Sequence, residues 1–169
     1  MRAPIVWLTG WPASGKTTIA YGVKEMLDYM EIPCEVLDGD EVRQWLTPDC
    51  GFTRDDRDKN VLRVAEVAKR MARSGIVAIV ALVSPFRSTR ERVRRMIQSP
   101  FIEVYVKAPP EVCNERRNRK LLDKVKDFLA GDQPMHQEPR NPEVICYTDK
   151  ETIEESVQKV IEAIMGEEK

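Results

Sequence analysis

The sequence predicts an α/β fold, an open parallel β-sheet flanked by helices on both faces with a lid segment over one rim. Three observations predict it. Apolar runs of four to eight residues at Ile5–Leu8, Ile76–Val83 and Ile102–Val106 have no polar face, as expected of strands buried on both sides. Longer segments with a three-to-four-residue apolar period alternate with these runs. The first run also passes through a glycine-rich turn directly into such a segment.

The elements follow in order. After Ile5–Leu8 and the turn comes a helix over Lys16–Met30, then a short strand over Pro33–Leu37 that ends at Asp38-Gly39-Asp40. A helix over Asp55–Ser74 is stopped by Gly75 just before the Ile76 strand. Helices over Arg87–Gln98, Pro110–Asn118 and Glu151–Met165 complete the pattern around the Ile102 strand. A parallel sheet built this way binds ligands at the carboxyl ends of its strands. The turn after the first strand, Asp38-Gly39-Asp40 and Ser84-Pro85-Phe86-Arg87 all follow strand ends, so they are expected along one rim.

Residues 1–169 make one domain, and 42% hydrophobic content supplies a sizeable core. Lys plus Arg (27) nearly balances Asp plus Glu (28), which gives no reason to expect a nucleic-acid or membrane-surface partner. No stretch approaches the roughly 18 apolar residues of a membrane span, and no leader is recognisable, so a soluble cytoplasmic protein is expected. Cys34, Cys50, Cys113 and Cys146 include no C-x-x-C pair and are read as reduced packing residues. Residues 119–143 hold three prolines, many charges and few apolar residues. A lid is expected there, closing over a reaction from which water must be excluded. The single histidine, His136, falls in that segment and reads as a solvated loop residue.

Gly10-Trp11-Pro12-Ala13-Ser14-Gly15-Lys16-Thr17 fits G-x-x-x-x-G-K-[ST] in a strand–turn–helix context. Such a turn aims successive backbone N–H groups and the helix dipole at one point, which suits a nucleotide's phosphates. Gly10 through Thr18 are therefore assigned to ATP, with Lys16 reaching the β- and γ-phosphates and Thr17 ligating Mg²⁺. Asp40, at the end of the second strand, faces the γ-phosphate by topology and can hold Mg²⁺ through water or orient an attacking hydroxyl. It can equally cap the following helix, since Gly39-Asp40-Glu41 reads as a helix start, and Asp38 reads as a supporting carboxylate. Arg43, Arg57, Arg63 and Arg87 recur on the rim side and suit an anionic acceptor, while Arg90, Arg92, Arg94 and Arg95 read as a solvated helix face. Asn60 and Phe52 add an amide and an aromatic ring suited to holding a base.

Taken together the motifs resemble the adenylylsulfate kinase family. Leu37-Asp38-Gly39-Asp40 with Arg43 resembles L-D-G-D-x-x-R, and Gly51-Phe52-Thr53 through Asp56-Arg57, Asn60 and Arg63 resembles G-F-S-x-x-D-R-x-x-N-x-x-R. Ser84-Pro85-Phe86-Arg87 with Arg90 resembles S-P-F-R-x-x-R, Phe101 through Pro109 with Glu111-Val112-Cys113 and Arg116 resembles F-x-E-V-Y-V-x-A-P with E-V-C-x-x-R, and Asn141-Pro142-Glu143 resembles N-P-E. The resemblance implies transfer of the ATP γ-phosphoryl to the 3′-hydroxyl of adenosine 5′-phosphosulfate, and a tendency to form a homodimer. It implies Asp40 and Lys16 at the reaction centre, and an acceptor held by Asp40, Arg43, Phe52, Arg57, Asn60, Arg63, Ser84, Pro85, Phe86 and Lys120. Arg116 would lie beside the adenine of ATP, and Ser84 matches the family's phosphorylated serine, although in-line transfer between two bound nucleotides needs no covalent intermediate. The lid departs from the family: Arg119-Lys120-Leu121-Leu122 stands for K-G-L-Y, and Phe128-Leu129-Ala130-Gly131-Asp132 for F-T-G-I-D. A sister kinase for another anionic acceptor would vary Phe52, Asn60 and the lid, and a non-catalytic module would have lost Lys16, Thr17 or Asp40. Here only the lid varies.

Overall fold

A computed structural model describes residues 2–120 and 136–167. Along the chain run β1 (Ile5–Thr9), α1 (Lys16–Tyr29), β2 (Cys34–Asp38), α2 (Gly39–Trp45), α3 (Arg54–Arg73), β3 (Val77–Ala81), α4 (Arg87–Met96), β4 (Phe101–Lys107), α5 (Pro110–Lys120), β5 (Val144–Tyr147) and α6 (Ile153–Glu167). All strand pairings are parallel, in the order β2-β3-β1-β4-β5. The α/β class and the alternation expected from the sequence are what the chain forms.

β1 is the middle strand, with Ile5 opposite both Ala78 and Phe101, and all five of its residues are buried. Its side chains alternate between two cores. Val6 and Leu8 pack with Ile19, Val23 and Leu27 of α1 and with Val160 and Ile164 of α6. Ile5 and Trp7 pack on the opposite face with Val61, Val64 and Ala68 of α3 and Val93 of α4. Each such aliphatic side chain contributes about 1.5–3 kcal/mol by leaving water, which is why a strand without a polar face belongs in the centre.

α3 begins where Thr53 accepts a hydrogen bond from the Asp56 amide at 3.2 Å. Asp55 and Asp56 in its first turn and Arg70 and Arg73 in its last complement the helix dipole. Its buried stripe, Arg57, Asn60, Val61, Val64, Ala68 and Ala72, keeps the helical period while turning polar at the end nearest the rim. That polar end is where the site lies.

α2 is the short helix whose start Gly39-Asp40-Glu41 signals. One element differs from expectation: β5 is an edge strand of four residues, pairing with β4, in which only Val144 and Cys146 are buried. The third strand is also shorter than the apolar run Ile76–Val83, because the chain leaves the sheet after Ala81 to form the rim. All four cysteines are buried and free, as expected. No helix among the described residues is long and apolar enough to cross a membrane.

The expected solvated arginine face divides in two. Arg92 and Arg95 are exposed, but Arg90 is 1% exposed and Arg94 is half-buried. The helical repeat puts residues 90 and 94 on the inner side, toward carboxylates the sequence does not place there. Arg90 Nε lies 3.5 Å from Glu103 Oε2 as an ion pair without a hydrogen bond, and Arg94 bonds Glu143 bidentately. Burial pushes the Glu103 carboxyl above its usual range and the two guanidiniums pull it back. Glu103→Ala leaves Arg90 buried beside an empty site. It is expected to cost about 3 kcal/mol in urea unfolding, with Glu103→Gln milder. A loss within the noise of the measurement for the alanine variant would remove the pair from the account of stability.

Candidate active site

The donor side starts at Thr9. A Cβ on Gly10 would stand 2.3 Å from the Val106 carbonyl oxygen of β4, so only glycine lets the loop leave the sheet there. Gly15, at φ 113°, closes the turn in a conformation that L side chains avoid, and Lys16 begins α1. The lysine curls back onto its own loop, donating from Nζ to the carbonyls of Gly10 at 2.9 Å and Trp11 at 2.8 Å. Burial lowers its pKa to about 8, against the opposing pull of Cys113, Asp38 and Asp40.

Thr17 donates to Asp38 Oδ2 at 2.7 Å, and Asp38 Oδ1 accepts the Asp40 amide at 3.0 Å. Asp38 therefore caps α2, so the capping alternative considered for Asp40 falls to its neighbour. Asp40 is left in the first turn of α2 on the cleft wall, facing the same space as Lys16, Thr17 and Thr18. A hydroxyl beside two carboxylates is a set of hard oxygen donors, which suits Mg²⁺. No group of three or more His, Cys, Asp or Glu side chains placed to hold a metal is found among the described residues.

Across the cleft stands a clamp of α2, α3 and the loop between them. Arg43 lies over the Phe52 ring at 4.3 Å and Arg57 at 5.6 Å. Arg43 donates to the carbonyls of Cys50 and Gly51 at 3.0 and 3.2 Å, and Arg57 Nε to that of Phe52 at 2.8 Å. Asn60 is oriented by Thr47, whose hydroxyl donates to its side-chain oxygen at 2.7 Å. Both halves line one cleft of about 780 Å³, within the range of ligand sites.

The structure does not gather every residue singled out in the sequence. Arg43, Phe52, Arg57, Asn60, Ser84 and Pro85 line the cleft. Arg63 does not line the cleft: it is bonded bidentately to Asp49 at 2.5 and 2.8 Å, about 120° around α3 from Arg57. Phe86 is buried beneath Arg54, at 4.1 Å from its ring, and Arg87 donates to the Glu138 carbonyl at 2.8 Å. Neither lines the cleft. Ser84 is 3% exposed, with φ 44°, and its hydroxyl accepts from Trp7 Nε1 at 3.0 Å. Lys120 closes α5, and its side chain lies outside the described residues, as do residues 121–135 of the expected lid.

Residues 136–143, the last part of that lid segment, are mostly exposed but bonded to the body through Gln137, Glu138 and Glu143, with His136 buried. His136 is 7% exposed, 2.8 Å from the Thr9 hydroxyl and stacked on Tyr105, which corrects its reading as solvated. Burial among Arg90, Lys16 and Arg87 pushes its pKa down to about 2. Sequence reasoning also missed the far donor wall, Thr148, Glu151, Thr152, Ile153 and Ser156. Arg116 ties it to the loop, donating to the Ser14 carbonyl at 3.1 Å and the Thr148 carbonyl at 3.0 Å. The signal was the polar stretch after Val144–Tyr147, legible only once that run is known to be a strand.

A phosphate loop at the end of a central parallel strand, facing a carboxylate and an arginine-aromatic clamp across one cleft, defines a P-loop kinase. Residues 2–147 match the family model described as adenylylsulphate kinase, and the chain belongs to that family. It is 42% identical over 168 residues to the adenylyl-sulfate kinase of Synechococcus sp. (strain JA-3-3Ab), covering 96% of this chain and 94% of that one. It is 44% identical over 161 residues to that of Halothermothrix orenii, covering 93% and 86%. An APS kinase of Mycobacterium tuberculosis, solved with AMPPNP and APS, superposes with a TM-score of 0.86 at 30% identity, covering 98% of both chains.

With its pKa drawn down to about 8, Lys16 loses its proton as pH rises through that value. Affinity for a non-hydrolysable ATP analogue, measured calorimetrically, is expected to fall above about pH 8, approaching tenfold per pH unit. A flat profile up to about pH 9.5 would show either that Lys16 keeps its proton over that range or that its charge is unimportant for phosphate binding.

Proposed function

We propose that the protein transfers the γ-phosphoryl of ATP to the 3′-hydroxyl of adenosine 5′-phosphosulfate, giving 3′-phosphoadenylyl sulfate and ADP. The observation that carries the reading is the shared cleft, with Lys16, Thr17 and Asp40 on one wall and Arg43, Phe52, Arg57 and Asn60 on the other. Gly10 to Thr18 cradle the ATP phosphates, with Lys16 exchanging its loop carbonyls for phosphate oxygens, a stronger charge-assisted contact. Thr17 and Asp40 would hold Mg²⁺, which would supply positive charge to the transferring group. Asp40 orients the acceptor hydroxyl for in-line attack, and its role as base needs only hydrogen-bond reach to that proton. Arg43 and Arg57 bind the phosphosulfate, and Phe52 offers the adenine a ring already fixed by two guanidiniums. Arg116 lies toward the ATP adenine.

Transfer is direct. The Ser84 hydroxyl is engaged by Trp7, and two nucleotides bound in line leave nothing for a phosphoserine to do. A cytoplasmic setting, consistent with four free thiols, and a homodimer belong to the same proposal. α1 leaves Met26, Tyr29 and Met30 exposed at helical spacing, an apolar stripe suited to self-association. Light scattering is expected to give twice the chain mass, and a single chain mass at micromolar concentration would end the dimer reading.

A coupled ADP-release assay tests the function. Adenosine 5′-phosphosulfate is expected to turn over faster than other nucleotide acceptors, and no turnover with it beside rapid turnover of another would sink the assignment. Asp40→Ala is expected to lower kcat by about 10²–10⁴-fold while leaving ATP-analogue affinity nearly unchanged. Near-normal turnover of that variant would remove Asp40 from the chemistry.

A further inference from the structure

We propose that His136 is a positioning residue that sets the acceptor rim against the base of the phosphate loop through the Thr9 hydroxyl. The inference rests on the two-substrate reading of the cleft. Thr9 stands between the halves: it is the last residue of β1, Gly10 follows it, and its hydroxyl donates to the Val83 carbonyl at 2.7 Å. Val83 leads into Ser84 and Pro85 on the rim. A hydroxyl has one proton, so with that proton on Val83 the oxygen must accept from His136 Nε2, 2.8 Å away. The hydrogen-bond network thus assigns the Nε2–H tautomer. Nδ1 is buried with no hydrogen-bond partner among the described residues, so the Thr9 contact fixes the ring's polarity. The ring is held neutral by burial among Arg90, Lys16 and Arg87, and stacked on Tyr105 at 5.7 Å.

The residues after His136 are tied to the rim. The Gln137 amide donates to the Pro85 carbonyl at 2.9 Å, and the Arg87 amide to Gln137 Oε1 at 2.9 Å. Buried Arg90 reaches both the Ser84 carbonyl and the Gln137 carbonyl. Ser84, at φ 44°, holds a backbone conformation that its neighbours must impose. The chain at 136–137 therefore overlies the rim while its first side chain reaches β1. Loosening that side chain frees the rim to move relative to the loop, and a misplacement of about 1 Å between reacting groups is enough to cost rate.

The test separates hydrogen bonding from packing. His136→Phe keeps an aromatic ring for the Tyr105 stack, at a somewhat larger volume, but removes the donor, while His136→Gln keeps an N–H near the Nε2 position. His136→Phe is expected to lower kcat/KM for the acceptor about tenfold with ATP-analogue affinity changed less than about twofold, and His136→Gln to recover most of the loss. Thr9→Val removes the same bond from the other end, and adding His136→Phe to it is expected to cost little more. Amide hydrogen exchange at Arg87 and Gln137, which donate to Gln137 Oε1 and the Pro85 carbonyl, reads the rim without any acceptor, and is expected to quicken about tenfold in His136→Phe and return toward normal in His136→Gln. If the wild type fails to turn over the phosphosulfate, the functional reading fails and the exchange result alone decides this one. Unchanged exchange in His136→Phe, exchange as fast in His136→Gln, or equal losses for both substrates would overturn the proposal.

Discussion

β1 is buried on both faces and hydrogen-bonded along both edges, and the site depends on that enclosure. A strand so confined cannot slide or twist to suit a ligand, so the loop that leaves it at Gly10 has a fixed origin. The close approach of Gly10 to the β4 carbonyl and the left-handed turn at Gly15 then determine where α1 points its first amides. Alternation along the same strand sends Val6 and Leu8 to one core and Ile5 and Trp7 to the other. Trp7 reaches from its core to Ser84, and Thr9 to Val83, so the strand that carries the donor loop also braces the acceptor rim.

The cations of the cleft share one arrangement. Lys16 rests on the carbonyls of its own loop, Arg43 on those of Cys50 and Gly51, Arg57 on that of Phe52, and Arg116 on those of Ser14 and Thr148. Carbonyl oxygens orient a guanidinium or ammonium without neutralising it. Lys16, Arg43, Arg57 and Arg116 are thus held in place by backbone carbonyls, which limits the ordering cost of binding. The carboxylates divide their work: Asp38 ties Thr17 to the start of α2, and Asp40, two residues on, lines the cleft wall.

The class of fold and most of the donor side were legible because they follow from local rules. A two-sided apolar run is a central strand, and a glycine-rich turn before a helix is a phosphate cradle. The acceptor side was legible in composition but not in direction. Arg57 and Arg63 look alike in a string of residues, yet six positions along α3 turn them to different sides, one toward Phe52 and the other toward Asp49. Arg90 could not be recognised as buried because its partner Glu103 is on β4, an element away. His136, among prolines and charges, has the sequence context of a surface loop, and its burial depends on Thr9 and Tyr105, which lie far from it in the chain. β5 was missed because a four-residue edge strand carries too little pattern, and the donor wall that follows it was missed with it.

Thr148 gives the donor pocket an unexpected dependence on the order of synthesis. Its hydroxyl closes on the Ser14 carbonyl at 2.5 Å, so a loop is completed by a residue translated 134 positions after it. At about 5–20 residues per second, the ribosome exposes the phosphate loop seconds before its wall exists. Nucleotide can therefore do little to guide the early stages of folding. A nascent chain stopped before β5 would carry the whole phosphate-loop motif with an incomplete donor pocket.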